Sequence, residues 1–179
     1  MVFILCLTFV SCMPQTMRKV ADTKQFLFGV AVRPSDLLNS QDSKLLQDNF
    51  NILVAENIMK LQYLRPTESF WNWSDPDKLV QFAESNKMKL RGHTFVWHNQ
   101  NPPFINNLSD RERAIQVLKD TITQILTRYK GKFFEYDVCN EVIDDNGRLR
   151  DSIWMKKIGK EYIDIAFQTA RAVDPSIKL

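Results

Sequence analysis

The chain has 179 residues, 44% of them hydrophobic and 25% charged, with a formal net charge of +3. That length supports one ordinary domain with its own core. The scattered lysines and arginines form no basic block, which argues against a nucleic-acid binder, and five glycines with seven prolines exclude a low-complexity chain.

The N-terminal stretch MVFILCLTFVSCMPQT (1–16) opens with an apolar run of about ten residues, too short to span a bilayer. It then turns polar after Ser11-Cys12. It reads as an export leader without the usual positive start, and Ser11-Cys12 is similar to a bacterial lipoprotein cleavage site. The expectation is a secreted or cell-envelope protein with a lipid anchor at Cys12; the alternative is an apolar tail. Cys6 and Cys12 lie in this leader, which leaves Cys139 alone in residues 17–179. A disulfide framework is excluded there, and Cys139 reads as a buried structural thiol.

Strand-like and helix-like segments then alternate. Apolar runs occur at 26–32 (FLFGVAV), 51–57 (NILVAEN), 89–97 (KLRGHTFVW) and 133–141 (FFEYDVCNE), and IKL at 177–179 begins a fifth. Between them, Ser74-Asp75-Pro76 predicts a capped helix start. Ser109 and Glu112 predict a capping box, followed by the stripe Ala114, Ile115, Leu118, Ile122, Ile125, Leu126 and Tyr129. Asp151-Ser152 predicts the opening of one last helix, with Ile158, Tyr162, Ile165, Ala166 and Ala170 on one face and Asp174-Pro175 as its end. Apolar strands alternating with helices predict a parallel sheet covered by helices. Two architectures fit: an open doubly wound sheet, or part of a (β/α)8 barrel. No glycine-rich phosphate loop follows the first strand, which weakens nucleotide binding.

In either architecture function sits at the C-terminal ends of the strands. The second run ends in Glu56-Asn57, with Lys60 beyond. The third carries His93 and ends in Trp97-His98, with Gln100 beyond. The fourth ends in Asn140-Glu141. Each residue alone has an ordinary structural explanation: a satisfied core histidine, a packed tryptophan, a carboxylate at a helix start. An aromatic face among bidentate donors and acceptors suits a sugar, whose C–H face stacks while its hydroxyls pair. His93 and His98, five apart on a strand, fall on opposite faces, which argues against a metal. No G-x-S-x-G elbow is present, and Cys139 lies within the strand, directed away from the face of Asn140, so serine and cysteine nucleophiles are discarded.

The motifs AENIMKLQYLRP (55–66), RGHTFVWHNQNPPF (91–104) and YDVCNEVIDDNGRLRDSIW (136–154), with LFGVAV (27–32) before and YIDIAFQTARAVDPSIKL (162–179) after, resemble glycoside hydrolase family 10, the endo-β-1,4-xylanases. The resemblance runs from about residue 20 to the last residue, in three ordered motifs with matching gaps. It implies a (β/α)8 TIM barrel and retaining hydrolysis of xylan, without a cofactor, in a complete protein that is monomeric. It implies Glu141 as general acid/base and Asn140 as the partner of the 2-hydroxyl of the sugar at the cleavage point. His93 and Trp97 match residues around that sugar; Glu56, Asn57, Lys60 and Gln100 match residues holding the next sugar outward. The acid role further needs partial burial of Glu141 or a neighbouring carboxylate.

The family's nucleophile lies on a later strand, so no residue is assigned that role. A (β/α)8 domain typically needs ~250 residues, and the expectation is the first four βα units plus the start of strand five, inactive on its own. Two other accounts are a half-barrel that pairs with a second copy, and a non-catalytic half-barrel that binds xylan or xylo-oligosaccharide.

Overall fold

In the computed structural model, which describes residues 15–179, four short apolar segments form one parallel sheet: β1 (Gly29–Val32), β2 (Ile52–Ala55), β3 (Lys89–Val96) and β4 (Glu135–Cys139). The leader residues Cys6 and Cys12 lie outside the described residues. Spatial order equals chain order, β1-β2-β3-β4, with every neighbour parallel. A doubly wound sheet reverses its strand order at a switch point; an unbroken sequential order is that of a (β/α)8 barrel wall. At the end of the chain Lys178 bridges in parallel to Glu135, and its carbonyl accepts from the Tyr136 N–H at 2.8 Å. The segment 177–179 therefore starts a fifth position beside β4.

The helices are α1 (Met17–Thr23), α2 (Pro34–Leu38), α3 (Ser40–Asn49), α4 (Leu61–Leu64), α5 (Ser74–Ser85), α6 (Pro103–Asn106), α7 (Arg111–Arg128), α8 (Ile153–Ile158) and α9 (Tyr162–Val173). Alternation along β3 and β4 buries Leu90, Gly92, Tyr136 and Val138 on one sheet face, while Arg91, His93, Glu135 and Asp137 stay partly exposed. The sheet is thus not apolar on both faces, as the strand composition suggests. α5 packs on β2 and β3, and α9 on β4 and α7. α7 buries Ala114, Val117, Leu118, Thr121, Ile122, Ile125 and Leu126 along one stripe; each fully buried aliphatic chain there is worth about 1.5–3 kcal/mol. Buried Arg65 stacks its guanidinium on Trp71 at 4.6 Å and donates to Thr121 Oγ1 and the Glu68 carbonyl. It fastens the segment after α4 to α7.

Three helix boundaries differ from expectation. Asp110, not Ser109, caps α7: its Oδ1 accepts from the Arg113 N–H at 2.8 Å, and Ser109 Oγ donates to Asp110 Oδ2 at 2.6 Å. That backbone bond holds the Asp110 carboxyl below the usual range, and an ionised acceptor caps better than a hydroxyl. α5 already includes Ser74, and the residue before it, Trp73, makes no side-chain cap bond. The single last helix is two, α8 and α9, because Gly159 adopts φ +87° at the end of α8. Ser152 caps only the first, its Oγ accepting from the Met155 N–H at 3.1 Å. Among the described residues no helix is long and apolar enough to cross a membrane.

Candidate active site

Parallel strands of one sheet deliver their C-terminal ends to one edge, and the residues just past β1, β2, β3 and β4 meet there in a chain of contacts. Arg33, after β1, lies 3.8 Å from Glu56 Oε2, after β2. Glu56 Oε1 and the Asn57 amide are 3.4 Å apart, and Lys60 Nζ donates to Asn57 Oδ1 at 3.0 Å. The same ammonium stands 5.0 Å above the Trp97 ring, after β3. Trp97 Nε1–H donates to Glu141 Oε2, after β4, at 2.8 Å. Five of the residues expected in the site, Glu56, Asn57, Lys60, Trp97 and Glu141, therefore belong to one continuous network.

The backbone around this network is held by side chains. Glu141 sits at φ +50° and Gln100 at φ +48°, a region that non-glycine residues enter rarely. Arg150 closes over Glu141: its Nε donates to the Glu141 carbonyl at 3.0 Å and a terminal nitrogen to the Ile143 carbonyl at 3.2 Å. Between them the chain makes a hairpin with Ile143 opposite Leu149, tightened by Asp144 Oδ1 accepting from the N–H groups of Asn146 and Arg148. Buried Trp154 donates its indole N–H to the Trp97 carbonyl at 3.2 Å.

Two expected positions, Asn140 and Gln100, and the neighbouring His98 carry unused polar groups among the described residues. The half-buried Asn140 continues the sheet through its N–H, which donates to the Val96 carbonyl at 2.8 Å; its side-chain amide makes no hydrogen bond among the described residues. Among the described residues, Gln100 Oε1 is buried without a partner. His98 Nδ1 is also buried without a hydrogen bond and lies 3.6 Å from Glu141 Oε2. Buried polar groups left unpaired cost free energy. Glu141 itself is exposed, with 49% of its side chain accessible, so the burial expected of an acid catalyst is not supplied by the described residues.

His93 stands apart from the Trp97 network. It lies within β3, in register with Asp137 of β4, and its Nδ1 is 2.9 Å from Asp137 Oδ2. The two histidines thus approach different carboxylates. Arg33, Arg91 and Arg150 were not singled out by the sequence, and Asp137, in the middle of the fourth apolar run, was given no role there. Arg33 follows β1 as Glu56 follows β2, which could have found it; Arg91 and Asp137 were legible only once the register was known. Cys139 is a half-buried free thiol whose pKa burial pushes up to about 12.

The profile described as Glycosyl hydrolase family 10 matches residues 16–179. The chain is 44% identical over 168 residues to an endo-1,4-beta-xylanase A of Thermoanaerobacterium saccharolyticum, covering 86% of this chain and 14% of that protein. It is 44% identical over 168 residues to an exoglucanase XynX of Acetivibrio thermocellus, covering 86% of this chain and 16% of that protein. Its backbone superposes on the crystal structure of xylanase 10B from Thermotoga petrophila RKU-1 in complex with xylobiose with a TM-score of 0.87 and 35% identity, over 92% of this chain and 52% of that one. The chain thus spans about half of that solved relative and a smaller share of the two longer proteins. With a sequential parallel sheet and a profile match over nearly the whole described chain, it belongs to glycosyl hydrolase family 10.

Proposed function

We propose that the strand-end site takes a β-1,4-linked xylose chain, and that Glu141 is the general acid/base of a retaining endo-1,4-β-xylanase. The observation that carries this is the network in which an indole N–H is bonded to the Glu141 carboxylate beside the unpartnered amide of Asn140. In this reading Glu141 protonates the glycosidic oxygen and later activates water. Asn140 bonds the 2-hydroxyl, an interaction that strengthens as oxocarbenium character develops. Trp97 and His93 line the same sugar, while Glu56, Asn57, Lys60 and Gln100 hold the next one.

Retention requires a second carboxylate at about 5–5.5 Å, acting as nucleophile. Glu56 is already engaged by Arg33 and Asn57 and is assigned to sugar binding. The chain alone is therefore expected to bind xylo-oligosaccharides and to release no product. Xylotriose should quench tryptophan fluorescence, and Trp97→Ala should remove most of that change. A folded sample with no response removes the sugar site; xylan turnover lost in Glu141→Gln removes the claim of inactivity. A second reading, binding without hydrolysis, is favoured by the empty Asn140 and Gln100 groups, which need no nucleophile to hold a sugar. It predicts no turnover in any assembly that contains the chain.

A further inference from the structure

The β3–β4 register sets Arg91 opposite Glu135 and His93 opposite Asp137, so four polar side chains share the sheet face away from the helices. Asp137 collects three donors. Its Oδ2 is 3.0 Å from Arg91 Nε and 2.9 Å from His93 Nδ1, and its Oδ1 is 2.5 Å from a terminal nitrogen of Arg91. The remaining terminal nitrogen of Arg91 reaches Glu135 Oε1 at 3.2 Å. Burial favours the neutral acid at Asp137, but the bonds from His93 and Arg91 outweigh it and hold the carboxyl below its usual range. An ionised carboxylate has no hydrogen to give. The proton in the contact between His93 and Asp137 is therefore on the ring, at Nδ1. His93 Nε2 has no hydrogen-bond partner among the described residues.

We propose that Asp137, clamped by the Arg91 fork, is a positioning residue that fixes neutral His93 as the Nδ1–H tautomer, so that its Nε2 is an acceptor for a sugar hydroxyl. The tautomer follows from the geometry; the hydroxyl as ligand rests on the sugar-site reading above. The opposite tautomer would present an N–H donor at the same place and would demand an acceptor instead. Arginine suits the clamp better than lysine, because its planar fork meets both carboxylate oxygens while leaving a third donor for Glu135.

The test is nitrogen-15 NMR of the full chain above neutral pH. The chain has two histidines, so a His98→Gln variant assigns the ring resonances. A protonated Nδ1 and a bare Nε2 are expected for His93; a protonated Nε2 overturns the proposal without recourse to any variant. Asp137→Asn, whose amide can donate as well as accept, should release the lock and give mixed tautomers, with folding checked by circular dichroism. An unchanged His93 signature in that variant also overturns it. Xylobiose should then move the Nε2 resonance of the wild-type chain and bind about fivefold more weakly to Asp137→Asn, the scale of one net hydrogen bond. If the tautomer is as expected and Trp97 fluorescence responds to xylobiose but Nε2 does not move, the acceptor role is lost. If neither responds, the sugar-site reading fails and takes the hydroxyl acceptor with it, while the fixed tautomer stands.

Discussion

Asp137 joins site geometry to stability in a single side chain. Its carboxyl is held below the ordinary range in the folded protein because His93 and Arg91 donate to it, whereas the unfolded chain returns it to about 3.9. A depressed folded pKa contributes stability that is fully present above the unfolded value and is lost as pH falls through the folded one. The unfolding free energy of the wild-type chain should therefore drop as the pH is taken below about 4, and Asp137→Asn, which lacks this titration, should show a shallower fall over the same window. Urea unfolding at a series of acidic pH values measures the two slopes; equal slopes would mean that the clamp contributes nothing to acid stability. Glu141 shows a different kind of residue-scale device. Its left-handed backbone, φ +50°, is covered by the Arg150 guanidinium on its own carbonyl, so the main chain that carries the carboxylate is held by a residue nine positions downstream, while the carboxylate itself is held by Trp97.

At the scale of elements, what the sequence made readable were periodic runs, and what it hid were short-range switches. The four strands and the α7 stripe follow from apolar spacing that no local competitor disturbs. The division of the last helix depends on one residue, Gly159, whose φ +87° and extended ψ belong to a region open to glycine alone. A Cβ at that position would also stand 2.6 Å from Glu161 Oε2. Gly159→Ala should destabilise the chain by about 1–3 kcal/mol, the cost of such a backbone conformation in a side-chain-bearing residue, seen as a lower urea midpoint with unchanged slope. A midpoint equal to wild type would mean that α8 and α9 can fuse without penalty. The cap of α7 was one residue away from Ser109 for a related reason: Ser-Asp offers two capping oxygens in sequence, and only geometry decides which reaches the third N–H. α2, α4 and α6 have five residues or fewer, too few for a period to be legible. In the site, strand-end residues were readable because parallel topology alone gathers them; Arg91 and Asp137 were not, because their meeting depends on the β3–β4 register.

For the whole molecule, the arrangement of strands leaves two sheet borders with different chemistry. β1 pairs only with β2 among the described residues, and its Gly29 and Ala31 are exposed. Among the described residues, β4 meets one bridge, from Lys178, on its far side. An exposed edge with free N–H and C=O groups templates pairing with another chain unless a charge, a proline or a bulge blocks it; β1, with the sequence Gly-Val-Ala-Val, carries none of these. With four residues, β1 offers a short edge and little area to bury, and the polar Arg91, Glu135 and Asp137 lie further along the sheet, on β3 and β4. The expected behaviour is reversible, concentration-dependent association rather than a tight dimer. Sedimentation velocity over a range of chain concentrations should show the average mass rising. Ala31→Lys, which places a charge on the exposed side of β1, should return it towards the 21.0 kDa of one chain. A single species of that mass for the wild-type chain at every concentration would mean that the β1 edge is inert, and an Ala31→Lys variant that associates like wild type would move the contact to another surface.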